Sequence, residues 1–285
     1  MKQQVSLKNR IVVMTGATSG IGKVAAVKAA ATGAEVLVIA RNKTKGDELL
    51  NHLSETHPDA TGTIRIVIGN LNSFQSVREA CMEIRSLYKR IDVLVLNAAT
   101  LNFKPVISED GIEETLQVNV LSPLLIYLLL EEGLKKADHS KIIFTSSLLH
   151  QGSIRFEDIE FRTDYKGFKV YRQSKLALIL LARYLSDRRE NGSMHTYSFN
   201  PGLVNTDIVR NIYMFPRSFY PLLGKSPEKG AETLNFLIEH PSDLLESGAY
   251  YTKRKAVKTV SGIYTPETGE RLWRMCYDYI EQYVK

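Results

Sequence analysis

Arg10-Ile11-Val12-Val13-Met14 runs straight into Thr15-Gly16-Ala17-Thr18-Ser19-Gly20-Ile21-Gly22, a β-rich apolar stretch followed by a turn with three glycines. The next residues, 23–32, read as a helix closed by Gly33. A chain passing from strand to helix in so few residues must turn sharply. A pyrophosphate can then approach the main-chain N–H groups at the helix N-terminus, provided no side chain obstructs it. Gly16, Gly20 and Gly22 meet that need, and Thr18, Ser19 and Ile21 complete the predicted cofactor-binding turn. A lone Gly-x-x-x-Gly-x-Gly is a weak signal. Its place after a strand and before a helix gives it weight.

The pattern then repeats. Strands are predicted over residues 36–40, 64–68, 93–96, 141–145 and 195–199, separated by helices over 47–55, 74–88, 112–136 and 171–189. Residues 248–251 read as the last edge strand. Strands alternating with helices imply parallel pairing, and continuous apolar strands imply a sheet covered on both faces. The expected fold class is α/β, a Rossmann-type doubly wound parallel sheet in one domain spanning 1–285. No linker, charge block or internal repeat divides the chain.

Composition narrows the function classes. The net charge of +6 raises nucleic acid or an anionic membrane as partners, but the basic residues are scattered rather than interleaved with aromatics, so neither is expected. Cys81 and Cys276 are the only cysteines, which offers neither a zinc pattern nor a disulfide framework and suits a reducing compartment. No metal site is expected. The start Met1-Lys2-Gln3-Gln4-Val5-Ser6 lacks the apolar core of a signal peptide. The oily run 121–130 is about half as long as a membrane helix requires, so no transmembrane segment and a cytoplasmic location are expected.

The end of the second strand bears on the choice of dinucleotide. An acidic side chain there would hydrogen-bond the ribose 2′-OH of NAD and repel a 2′-phosphate. Arg41 stands there instead, followed by Asn42 and Lys43. A guanidinium grips a phosphate with a planar fork, so NADP(H) is preferred, with NAD(H) possible. Further on, Val170-Tyr171-Arg172-Gln173-Ser174-Lys175 places a phenol and an ammonium one helical turn apart on one face. A free phenol, with pKa near 10, is a poor proton shuttle at neutral pH. Lowering it by about two units takes roughly 2.7 kcal/mol of differential stabilisation, a plausible load for one ammonium in a partly dry cleft.

Together these stretches resemble the short-chain dehydrogenase/reductases. The resemblance rests on the glycine turn, Asn97-Ala98-Ala99, Asn119, Ser146-Ser147, Tyr171-x-x-x-Lys175 and Pro201-Gly202-Leu203-Val204-Asn205-Thr206, in the family's order. Within that family the chain looks most like the retinol dehydrogenase and WW-domain oxidoreductase branch. It implies that Tyr171 exchanges the proton as hydride crosses to or from nicotinamide, and that Lys175 lowers the phenol's pKa and holds the nicotinamide ribose. Ser147 is implied to hold the substrate oxygen, with Ser146 as the alternative. Asn119 is implied to interrupt its helix and hold a water that relays protons from Lys175.

For the cofactor, the resemblance places Asn97 beside the adenosine, with Ala98 and Ala99 completing its motif. Thr206 is assigned to the carboxamide, and Pro201, Gly202 and Val204 to the loop beneath it. Asn70, with Leu71, stands where the family often has an aspartate for the adenine, and Ala99 replaces a frequent glycine. A homodimer through the helices carrying Asn119 and Tyr171 is also implied.

Other residues carry ordinary readings. His150 has no visible carboxylate partner for hydrolase chemistry, and Met14, Phe199, Trp273 and Tyr277 read as packing. Residues 206–230 are expected to form an oily lid, with Tyr213, Met214, Phe215, Phe219 and Tyr220, over a hydrophobic carbonyl or alcohol of retinoid, steroid or long-chain-aldehyde kind. The insert before Tyr171, with Phe156, Phe161 and Phe168, either covers the other side of the pocket or packs on itself. The predicted function is an NADP(H)-dependent oxidoreductase. Its rival is a catalytically idle dinucleotide-binding module for signalling or docking, which has no need of Asn119, Ser147, Tyr171 and Lys175 together.

Overall fold

Strand β1 (Ile11–Thr15) buries Val12 to Thr15 completely, which places it at the centre of the structure. The computed structural model describes residues 6–188, 193–204, 224–258 and 262–285. The other strands are β2 (Glu35–Ala40), β3 (Thr63–Ile68), β4 (Val93–Leu96), β5 (Ser140–Thr145), β6 (Met194–Phe199), β7 (Tyr250–Thr252) and β8 (Lys255–Val257). They form one sheet in the order β3-β2-β1-β4-β5-β6-β7-β8, parallel except for β8. Val13 is in register with Leu37 on one side and Leu94 on the other. Strand order reverses at β1 and β4, and a crevice for a ligand opens outside the carboxyl ends at such a reversal.

The helices are α1 (Gly20–Ala31), α2 (Lys43–Thr56), α3 (Phe74–Leu87), α4 (Ser122–Lys135), α5 (Gly167–Asp187), α6 (Pro227–Glu239) and α7 (Pro266–Val284). Two hydrophobic cores result. One joins the sheet to α1, α2 and α6 through Ala26, Leu49 and Leu234; the other joins it to α3, α4, α5 and α7 through Val77, Leu125, Leu178 and Leu272. The doubly wound α/β fold is therefore the one the sequence implies.

Several details differ from the sequence reading. The sheet does not end at residues 248–251: β7 turns back through Lys253 and Arg254, at φ 50° and 63°, into the antiparallel edge strand β8. Those turn positions favour glycine or asparagine, so the hairpin carries no ordinary sequence mark. Residues 206–223 of the expected lid, Thr206 included, lie outside the described residues. The lid's expected end is instead the first turn of α6, with Ser226 accepting the Lys229 N–H and Pro227 opening the helix. The stretch predicted as one helix over 112–136 comprises a short turn Glu114–Leu116, a π-helical segment Gln117–Leu121 and α4.

Helix α7 is new. Thr265 caps it and Pro266 starts it, while Leu272, Cys276 and Ile280 recur every fourth residue and are fully buried. It packs on α3, α4, α5 and the π segment, with Tyr283 against Phe74 and Trp273 against Tyr184. The insert before α5 adds Ile154 and Ile159 to the same core, and the Arg271 guanidinium of α7 lies 4.1 Å over the Phe156 ring. Phe161 is buried with Arg155 over its ring. Phe168 reaches the β4 loop edge-on to Phe103, and Tyr165 Oη donates to Asn102 O there. The insert is therefore mainly a packed cover for the helical layer. No helix among the described residues is long and apolar enough to cross a membrane.

Candidate active site

The turn after β1 is fixed by its own lack of side chains. Gly16 and Gly20 have φ of +63° and +54°, in the left-handed region. A Cβ on Gly16 would sit 2.6 Å from Ala98 Cα, and one on Gly22 would sit 2.2 Å from Gly16 O. The Ser19 side chain makes no capping bond, and no acidic residue lies in the first turn of α1. The helix N-terminus therefore presents N–H groups and its positive dipole end without an internal anion. Ile21 is buried, so any ligand contact it makes is through the backbone.

Asn97 locks this turn to two other strands. Its Nδ2 donates to Gly16 O at 2.8 Å, and its Oδ1 accepts from Thr145 Oγ1 at 3.1 Å. Thr15 Oγ1 accepts the N–H groups of both Asn97 and Ala98. The carboxyl ends of β1, β4 and β5 are thus tied together, with Ala98 and Ala99 leading out of β4 beside the glycine turn. Thr15 and Thr145 were not singled out in the sequence, because a threonine at a strand end has no distinguishing neighbour there.

The predicted adenosine end is more dispersed. Arg41 is exposed just past β2. Asn42 Oδ1 accepts the Lys45 N–H and so caps α2, which gives that residue a helix-capping task. Asn70 Oδ1 accepts the Asn72 N–H, and its Nδ2 donates to Glu109, so both ends of the amide are already engaged. Leu71 is buried, and its carbonyl accepts from Ser122 Oγ. Beyond β6, the Gly202 N–H donates to Asn200 Oδ1, and Val204 pairs with Lys225 behind Pro201.

Tyr171 and Lys175 lie inside α5, which begins one turn earlier than predicted. Burial pushes the Tyr171 phenol up to about 12, opposed only by a hydrogen bond with the Ser147 side chain. Lys175 is buried, with its Nζ donating to Thr145 O at 2.9 Å and lying 5.5 Å from the Tyr171 ring centroid. Burial pushes this ammonium down to about 7. Lys175 is not among the groups that move the phenol here: burial drives both groups toward their neutral forms.

The two serines separate cleanly. Ser146 Oγ donates to Lys175 O at 2.7 Å, a buried structural bond between β5 and α5. Ser147 is only half-buried and meets Tyr171. Asn119, at the centre of the π segment, is fully buried. Its oxygen accepts the Thr100 N–H, and its amide donates to Thr100 O and Ser174 Oγ, while Ser174 Oγ donates to Tyr171 O. Both amide hydrogens are thus engaged in joining α5 to the β4 loop.

Residues 10–215 match the family model described as short chain dehydrogenase. A Streptomyces sp. (strain C5) protein named for the C-13 ketoreduction of daunorubicin is 35% identical over 271 residues, covering 94% of this chain and 91% of that protein. Retinol dehydrogenase 12 of Mus musculus is 30% identical over 276 residues, covering 95% and 86%. A solved short chain dehydrogenase from Escherichia coli CFT073, complexed with NADPH, superposes with a TM-score of 0.68 at 22% identity, covering 87% of this chain and 98% of that one. The chain belongs to the short chain dehydrogenase family, a family of oxidoreductases that use nicotinamide dinucleotides, and its relatives place it in the retinol dehydrogenase-like branch.

Proposed function

We propose that the chain is an NADP(H)-dependent oxidoreductase acting on hydrophobic carbonyls or alcohols. The observation that carries this reading is the placing of Tyr171 and Lys175 together in α5, with Lys175 Nζ 5.5 Å from the Tyr171 ring centroid and donating to Thr145 O at the carboxyl end of β5, next to a glycine turn that no side chain fills. The open N-terminus of α1 fits a pyrophosphate, with Gly16, Ser19, Gly20 and Ile21 around it. A bound nicotinamide supplies or accepts the hydride. Ser147 Oγ holds the substrate oxygen, and Tyr171 Oη gives its proton to that oxygen, or takes it in the reverse direction. Lys175 would hold the nicotinamide ribose and, as an ammonium, stabilise the phenolate that Tyr171 becomes. Asn119 holds α5 in register for this exchange.

Apolar chemistry at the mouth supports the hydrophobic class. Phe103, Leu148, Leu149 and Leu203 are all exposed, on loops that leave the carboxyl ends of β4, β5 and β6. Burying one such side chain against a ligand contributes about 1.5–3 kcal/mol. Retinol is a long apolar alcohol and daunorubicin carries a large fused-ring body, which agrees with this reading. The assay that tests it follows NADPH oxidation with decanal, benzaldehyde and retinaldehyde. Turnover should favour the larger aldehydes, and tight NADPH binding without turnover of any of them would contradict the reading.

Arg41 supports the preference for NADP(H). Charge-assisted hydrogen bonds contribute about 1.5–3 kcal/mol, so Arg41→Asp should weaken NADPH roughly ten- to a hundredfold and leave NADH little changed. Fluorescence titration reads both affinities. Equal losses would show that Arg41 does not meet the 2′-phosphate.

The homodimer implied by resemblance does not belong to this reading. Helix α7 and the insert already pack on α4, α5 and the π segment, which are the helices it would pair through. Sedimentation equilibrium at micromolar concentration should return the mass of one 32.1 kDa chain. A stable dimer would contradict it.

A further inference from the structure

We propose that Tyr250 and His150 are positioning residues for Ser147: they grip its main-chain carbonyl from below and so fix where its hydroxyl stands against Tyr171. The proposal rests on the assignment of Ser147 as the holder of the substrate oxygen. Ser147 stands two residues past the end of β5, and the next two side chains, Leu148 and Leu149, are exposed, so they do not anchor it in the core. Support comes instead from two donors on its carbonyl, His150 Nδ1 at 2.7 Å and Tyr250 Oη at 3.0 Å.

A carbonyl only accepts, so Nδ1 must carry an imidazole proton. Tyr250 Oη lies 3.5 Å from that same protonated nitrogen, which leaves the carbonyl as the better acceptor for the phenol's hydrogen. The two lone pairs of the Ser147 oxygen are thus both in use. On the other side, the Leu149 N–H donates to Ser147 Oγ at 3.1 Å, which leaves the hydroxyl hydrogen available for a substrate oxygen.

The donors are themselves rigid. Both are buried, and their rings pack with centroids 5.0 Å apart. Tyr250 belongs to β7, in register with Ser198 of β6, and two residues further on Thr252 of the same strand takes the amide of Asn200, whose Oδ1 accepts the Gly202 N–H. Strand β7 therefore supports both the loop assigned to the nicotinamide end of the cofactor and the serine assigned to the substrate oxygen. Burial raises the Tyr250 phenol's pKa, so it remains a donor throughout the neutral range.

A double-mutant cycle tests the proposal, with NADPH and the same three aldehydes, slow variants being followed under single-turnover conditions. Tyr250→Phe keeps the ring and removes the donor. It should lower kcat about tenfold while leaving NADPH affinity unchanged. In the Ser147→Ala background the same change should cost nothing further, because the group it positions is gone. His150→Leu provides a second cycle through the other donor, and thermal melting identifies any variant that fails to fold. Full kcat in both single variants, or losses just as large without the Ser147 hydroxyl, would overturn the clamp alone. Wild-type turnover by Ser147→Ala, or no turnover of any aldehyde by the wild type, would remove the assignment of Ser147 and the clamp with it.

Discussion

Tyr171→Phe is expected to lower turnover by about 10²- to 10⁴-fold, the usual worth of a positioned general acid. NADPH affinity should stay within about twofold, because only one oxygen is removed. The ring is buried in α5, so phenylalanine fills the same space and the fold survives. The lost atom is the one that meets Ser147. Burial raises the phenol's pKa to about 12, with the Ser147 side chain opposing that push, so Tyr171 is held in the protonated form that a general acid needs. Stopped-flow rates with excess NADPH provide the measurement. A variant keeping more than about a tenth of wild-type turnover, with chemistry limiting, would exclude Tyr171 as the proton donor.

Gly22→Ala is the second large effect. The added methyl would lie 2.2 Å from Gly16 O and 2.7 Å from Asn97 Nδ2. The first neighbour is backbone and cannot rotate away. The second is the amide that holds Gly16 O, so the turn must open and its bond to Asn97 must break. Overpacking of this kind costs about 1–3 kcal/mol of stability. Loss of the N–H cradle should weaken NADPH about a hundredfold, equivalent to about 2.7 kcal/mol. Gly262→Ala is the matched control, since a Cβ there meets nothing within 4 Å. Calorimetry on both variants, for melting and for NADPH binding, checks the claim. If the two bind NADPH equally well, the glycine turn is not the cofactor's seat.

What the sequence displays and what it conceals follow from the range of the interactions. The glycine turn, the central strands and the Tyr171–Lys175 pair are local patterns, and a local pattern can be read one residue at a time. Helix α7 was also legible, since Thr265-Pro266 and the buried period Leu272, Cys276, Ile280 are ordinary start and face signals. The type of turn between β7 and β8 was not, because Lys253 and Arg254 hold positive φ without glycine.

The site divides the same way. Ser147 and Tyr171 could be named from their motifs, but the carbonyl contact from Tyr250 spans 103 residues of sequence and exists only once β7 is placed. Asn42 and Asn70 carry structural tasks that the sequence does not display. Their positions suggested ligand contacts, and the structure gives their amides to helix α2 and to the Asn70–Glu109 link. Lys175 shows a further limit. Its spacing from Tyr171 was readable, whereas the burial that moves its proton affinity is a property of the packed chain.

The central claim is hydride transfer governed by Tyr171. Its most direct test uses NADPH carrying deuterium at nicotinamide C4, prepared separately on each face, with retinaldehyde and decanal as acceptors and the product alcohols read by mass spectrometry. One of the two labelled cofactors should deliver deuterium to the carbonyl carbon with the wild type, and transfer should fall about 10²- to 10⁴-fold with Tyr171→Phe. Tight NADPH binding with no labelled alcohol from either cofactor, or undiminished labelling by Tyr171→Phe, would contradict it.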